Sequence, residues 1–210
     1  MNTAHLRRYG PAALLVGLIV LGVVVRSLSL HEESAYFDEA VSLVHLEADT
    51  WWGYIGATRE EDPPMTPVYF SLLWLWAQGF GTSIVAARAL SIALWAAFAG
   101  LLYALGRRLY SETTALVAVA VSALAVSHVY YAQEIRVYML VMLLGVGSLY
   151  SLQRALAGDS GGWWVAHVAL NSLLLFTHWF TALLLAAEGV FLLAWQIRRG
   201  WRGRPVWWGV

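Results

Sequence analysis

The chain has 210 residues, of which 60% are hydrophobic and only 12% charged, with 12 Trp, no Cys and a formal net charge of +0. That composition excludes a water-soluble domain, a disulfide framework and a thiolate metal site. Sign is nevertheless segregated: all 13 basic residues are Arg, and nine of them (Arg7, Arg8, Arg107, Arg108, Arg154, Arg198, Arg199, Arg202, Arg204) fall in short connections or at the chain ends, the pattern that sets orientation in a polytopic membrane protein.

The first predicted span covers residues 11–30, close to the roughly 20 residues needed to cross hydrocarbon. Arg7 and Arg8 hold its start in the cytoplasm. Arg26 lies near its far end, where a long side chain is expected to snorkel to the headgroups. No small-residue cleavage site follows, so the run is read as a span and not as a signal peptide.

A long polar loop follows, residues 31–83, with nine acids (Glu32, Glu33, Asp38, Glu39, Glu47, Asp49, Glu60, Glu61, Asp62) against one base, Arg59. Within it Phe37, Ala40, Val41 and Val44 recur at helical spacing. Asp38 and Glu39 stand in the first turn, where the helix dipole favours carboxylates. The apolar run 68–80 has only 13 residues, a length that suits an interfacial segment. Parity supports the same reading. If Arg7-Arg8 and Arg107-Arg108 are both cytoplasmic, span one and the span at 84–105 leave no room for a full crossing between them. Two interfacial helices are therefore expected in this loop.

Further spans are expected at residues 113–129, 133–152, 163–177 and 179–197, giving an all-α polytopic bundle of about six spans. The outer face then receives the loop 31–83, the turn 130–138 and the turn 177–179. The last residues, 205–210, read as the start of another span, so the chain is expected to be the N-terminal part of something longer.

Three constellations can carry chemistry. They are the pair Asp38-Glu39, the turn Tyr130-Tyr131-Ala132-Gln133-Glu134-Ile135-Arg136-Val137-Tyr138, and Arg88, a few residues into an apolar span. Singly, each has a plain reading as a helix-start charge pair, an interfacial anchor or a paired cation. All three map to the same membrane face. Carboxylates with arginines at a headgroup boundary suit attack by an acceptor on a sugar whose leaving group is a lipid-linked phosphate. A carboxylate takes the acceptor's proton, and Arg stabilises charge on the departing phosphate.

The order of these stretches resembles a known family. Asp38-Glu39 in an acidic loop, Pro63-Pro64 before an aromatic-rich segment, Arg88-Ala89-Leu90-Ser91, Tyr131 to Tyr138 and Thr177-His178-Trp179-Phe180 follow one another as in the N-terminal half of the GT-C membrane glycosyltransferases. Within them the chain is most similar to bacterial members of glycosyltransferase family 39, the protein O-mannosyltransferase-like group that also resembles the lipid A aminoarabinose transferase. The resemblance implies one GT-C type transmembrane domain over residues 1–210, with Asp38 as catalytic base and Glu39 as its neighbour. It places Glu134 near a second acidic position, and sets Arg88 and Arg136, with Tyr138, to face the donor phosphate. Asp62 stands where the family commonly has His or Asn before Pro-Pro, and His178 matches a recurrent histidine; both are further candidates. Metal dependence varies among relatives, so no metal ligand is assigned and a divalent ion stays open as a cofactor.

The implied function is transfer of a sugar from a polyprenyl-phosphate donor to a lipid, glycan or protein acceptor. The site would lie at the periplasmic or extracellular face of the cell membrane, with membrane lipids as further partners and no nucleic acid. The rival readings are a transporter or lipid-binding module and an inactive fragment. Transporters place ionisable groups near the midplane, and here only Glu188 does so. Glu188 is expected to face the bundle interior, protonated or paired. His45 and His167 lack a partner at ligand spacing and are read as solvated or packed.

Overall fold

The computed structural model describes residues 3–28, 30, 37–61 and 67–199. They form ten α-helices, and no strand occurs among the described residues: α1 (Thr3–Ser27), α2 (Phe37–Val44), α3 (Trp51–Glu61), α4 (Pro67–Phe80), α5 (Ile84–Leu109), α6 (Glu112–Leu124), α7 (Val126–Ala132), α8 (Tyr138–Leu156), α9 (Gly162–Leu175) and α10 (Ala182–Arg199), the last preceded by a 3-10 turn, Trp179–Thr181. Local chemistry starts several of them. The Ser83 and Ser111 hydroxyls accept from the amides of Ala86 and Thr114 at 3.2 and 3.1 Å, each satisfying a donor that a helix start leaves open. Gly81 adopts φ +89°, a left-handed conformation that costs glycine nothing. It turns the chain from α4 into α5.

Helix α5 is the centre of the bundle. Helices α1, α4, α6, α7 and α8 pack against it, and α9 lies on α8. Trp95, Phe98 and Ala99 of α5 are buried with Val119 of α6 and Met139 of α8. Helix α1 reaches this core because Gly22 has no side chain; a Cβ there would lie 2.0 Å from the Trp95 ring.

Four described helices are long and apolar enough to cross a membrane: α1 from Gly10, α5, α8, and α10 with its leading turn. In the first and last of these 11% of the span is buried, against 50% in α5 and α8. α1 and α10 thus leave most of their surface uncovered by the described residues, while α5 and α8 form the interior. Helices α6 and α7, bent by 62° to one another, are together long and apolar enough for a fifth span. Helix α9 occupies the remaining expected span but has 14 residues, short of the roughly 20 that a perpendicular crossing needs.

The break of the span at 113–129, the late start of the next helix and the burial of Arg26 differ from the expectations. The span at 113–129 is broken at Ala125, whose ψ of 123° is extended, and the helix expected from Gln133 begins only at Tyr138. Arg26 does not snorkel: it is wholly buried. Its guanidinium donates to the carbonyls of Gly22 (2.9 Å), Ala123 (3.0 Å) and Ser122 (3.0 Å) and lies 3.7 Å from the centre of the Trp95 ring. The break and the burial of Arg26 share a cause. A helix break in the bundle frees carbonyls that lipid cannot satisfy, and a cation against an aromatic face takes them up.

The loop between α1 and α5 holds three helices where two were expected. The extra one, α3, carries no clear apolar stripe. It is held by its ends and its tyrosine: Thr50 Oγ1 accepts from the Gly53 amide (3.1 Å), the Tyr54 hydroxyl donates to Ser42 O (2.9 Å) and Trp51 Nε1 donates to Ser71 Oγ on α4 (2.9 Å).

Candidate active site

The site begins with Glu39 in the first turn of α2. Its carboxylate accepts from Arg88 of α5 at 2.9 Å (Nη2 to Oε2) and 3.4 Å (Nε to Oε1), and from the backbone amide of Ile135 at 2.8 Å. Both side chains of the pair are 2% exposed. Arg88 also donates to Leu30 O at 3.1 Å. One turn further along α5, Ser91 Oγ donates to Glu134 O at 2.6 Å, and the Gln133 side chain donates to Arg26 O at 2.9 Å. The non-helical residues 133–137 are thus pinned from α1, α2 and α5 together. The Val68 amide reaches Phe176 O at 3.4 Å, which brings the end of α9 to the same place.

Stretches far apart in the sequence therefore meet at one end of the bundle. The opposite end gathers Arg107 with Glu112, and Arg108 and Arg154 both with Asp159. Arginines outnumber acids at that second end, three to two in these pairs.

The individual candidates separate into three groups. Glu39 and Arg88, expected as part of an acid pair and as a phosphate ligand, are buried and bond to each other. Glu134 and Arg136 are half-buried on the pinned segment. Tyr138 and His178 line a different space, an apolar cavity of about 450 Å³ walled by Val137, Val141, Met142 and Leu184. His178 Nδ1 accepts from the Phe180 amide at 3.2 Å, capping the 3-10 turn. Asp38 is the second residue of α2, but its side chain, like the whole of Asp62, lies outside the described residues. Among the described residues no three His, Asp or Glu side chains gather where they could hold a metal ion.

Tyr69 of α4 was missed by the sequence reading. It is fully buried, its hydroxyl makes no hydrogen bond of good geometry among the described residues, and burial, followed by the nearby Tyr54, raises its pKa well above the usual tyrosine range; the adjacent Ser91 hydroxyl and Arg136 oppose the shift. Tyr54 is raised as well, again by burial. Neither phenol ionises near neutral pH. The signal for Tyr69 lay in its place just after Pro67, at the start of a helix that had to face the site.

Residues 40–210 match the family model described as dolichyl-phosphate-mannose-protein mannosyltransferase, and the chain belongs to that family of GT-C type membrane glycosyltransferases. No curated protein and no solved structure matches it.

Proposed function

We propose that this membrane glycosyltransferase moves a sugar from a polyprenyl-phosphate donor to a lipid, glycan or protein acceptor at the outer face of the membrane, with Asp38 as general base. The observation that carries the reading is the Glu39 clasp. By bonding Arg88 and the Ile135 amide at once, it fixes the start of α2, and with it Asp38, against the segment bearing Glu134 and Arg136. In this reading residues 1–210 act as one GT-C type membrane domain.

The acceptor oxygen attacks the anomeric carbon while the bond from that carbon to the phosphate oxygen breaks. Asp38 takes the acceptor's proton, and the departing phosphate keeps the bonding electron pair. Arg136 stabilises that developing charge, since a guanidinium fork matches phosphate oxygens. Arg88 acts through Glu39 as a positioning residue, and Glu134 supplies a second carboxylate. The Tyr138 and His178 cavity suits the apolar part of the donor: its walls are aliphatic and aromatic side chains.

The test is transfer of label from a polyprenyl-phosphate sugar by the purified chain. Asp38→Asn is expected to lower transfer by at least about 10²-fold with donor binding kept. Arg136→Ala is expected to weaken donor binding. Unchanged transfer in Asp38→Asn would remove the general-base assignment.

A further inference from the structure

A second polar cluster lies inside the membrane-spanning part of the bundle, away from the site above. Ser148 of α8, Asn171 and His167 of α9 and Glu188 of α10 converge there. Ser148, His167 and Glu188 are each buried. Ser148 Oγ lies 2.8 Å from Glu188 Oε1 and 3.0 Å from the Asn171 side-chain oxygen, and the Asn171 nitrogen lies 2.9 Å from Glu188 Oε2. Three side chains thus form a closed ring of three contacts.

Counting protons decides the state of the acid. Each contact needs one hydrogen between its two heavy atoms. Ser148 has one to give, and Asn171, through its nitrogen, serves only one of the two edges it borders. The third must come from the carboxyl group. Exchanging the oxygen and nitrogen of Asn171, which is an assignment and not an observation, moves the acid proton from Oε1 to Oε2 but does not remove the need for it. An ionised Glu188 would leave two acceptors facing each other at hydrogen-bond distance in either case.

A salt bridge with His167 does not rescue the ionised form. The His167 Nε2 lies 3.7 Å from Glu188 Oε2, too far for a hydrogen bond, and 3.2 Å from the Asn171 nitrogen. If that nitrogen donates to both, Nε2 must be bare and the imidazole neutral, its Nδ1–H shared between Ser148 O and Ser148 Oγ, each at 3.2 Å; Ser148 Oγ then accepts there and still has one hydrogen to give. If the amide is exchanged, its oxygen meets Glu188 and again requires the acid proton.

We infer that Glu188 is a neutral carboxylic acid, an intramembrane proton-binding site whose bound proton closes a hydrogen-bond ring joining α8, α9 and α10. The surroundings agree. Glu188 borders a cavity of about 570 Å³ whose other walls are Leu105 and Leu109 of α5, Leu149 and Leu152 of α8, and Leu184 and Phe191 of α10, with Gln153 as the other polar residue. Beyond Ser148, Asn171 and the more distant His167, a carboxylate has nothing there to replace its hydration. His167 is the one other titratable group against it among the described residues. The proton also has a structural consequence, because α10 is little buried among the described residues and this ring ties it to α8 and α9.

The purified full chain in lipid, followed by infrared spectroscopy across pH, tests this. The expected result at neutral pH is a protonated-carboxyl C=O band that shifts on deuteration and is missing from Glu188→Gln. A second measurement is thermal stability. Glutamine offers an oxygen and two N–H groups, of which one N–H and the oxygen close the same ring, so Glu188→Gln should stay closer to the wild-type midpoint than Glu188→Ala and Ser148→Ala, which lower it by roughly 5 °C or more. The inference is overturned if the band lost in Glu188→Gln is that of a carboxylate. It is equally overturned if Glu188→Gln is destabilised as much as Glu188→Ala or fails to accumulate, since the charge would then be what the fold requires.

Discussion

Breaking the Glu39–Arg88 pair one partner at a time should be costly, and replacing both should not. Each side chain is 2% exposed and the closer contact is 2.9 Å, so a single truncation takes a described countercharge from a group that water cannot reach. Such losses run to about 3–5 kcal/mol. At about 2–4 °C per kcal/mol for a chain of this size, the unfolding midpoint should fall by roughly 6–20 °C. Glu39→Ala should sit at the upper end, because Arg88 keeps Leu30 O among its partners but loses its countercharge. Arg88→Met should be milder, because the Ile135 amide still serves the carboxylate. In Glu39→Leu with Arg88→Met no charge is stranded, and the double variant should be more stable than the sum of the single losses by at least about 2 kcal/mol. Thermal unfolding of the four chains in one detergent completes the cycle. Strictly additive losses, or single variants within about 0.5 kcal/mol of wild type, would mean that the two groups are solvated in the working protein and that the clasp does not position α2.

Other substitutions probe separate links in the argument. Gly22→Ala puts a methyl group 2.0 Å from the Trp95 ring and should destabilise by about 1–3 kcal/mol, read as a lower midpoint; a neutral result would mean that α1 does not seat on α5 this closely. Tyr69→Phe removes a buried hydroxyl that makes no hydrogen bond of good geometry among the described residues, so stability should be unchanged or slightly raised, and a clear loss on unfolding would show that the hydroxyl is engaged. Gln78 and Tyr110 are both exposed and flank α5 on opposite ends. Single cysteines at these two positions, in a chain with none of its own, should label from opposite sides of the membrane. Labelling of both from one side would refute the assignment of α2, α3 and α4 to a single outer face.

Much of the architecture was legible without coordinates because it rests on local rules. Runs of apolar residues against a hydrocarbon of fixed thickness mark α1, α5, α8 and α10, and the order Asp38-Glu39, Arg88 to Ser91, Tyr131 to Tyr138 and Thr177-His178 was enough to indicate the family. The 13-residue run 68–80 was read as too short to span, and α4 is a helix of 14 residues. Helix α3 escaped because its apolar residues have no helical stripe and its order comes from Tyr54, Trp51 and Thr50 bonding to their neighbours.

What only the tertiary structure decided concerns charges and their partners. Arg26 looked like a boundary residue because its depth in the span is all that sequence reveals. Its burial follows from the break at Ala125, which frees the Ser122 and Ala123 carbonyls 96 and 97 residues away. Glu39 meets Arg88 across 49 residues and Ile135 across 96. His167 looked partnerless until α8 and α10 brought Ser148 and Glu188 beside it, although Asn171, four residues on and so on the same helical face, was the hint. The physical reason is common to all three cases. Period and composition report which surface a residue prefers, whereas the partner of a buried charge is set by how helices distant in sequence pack against one another.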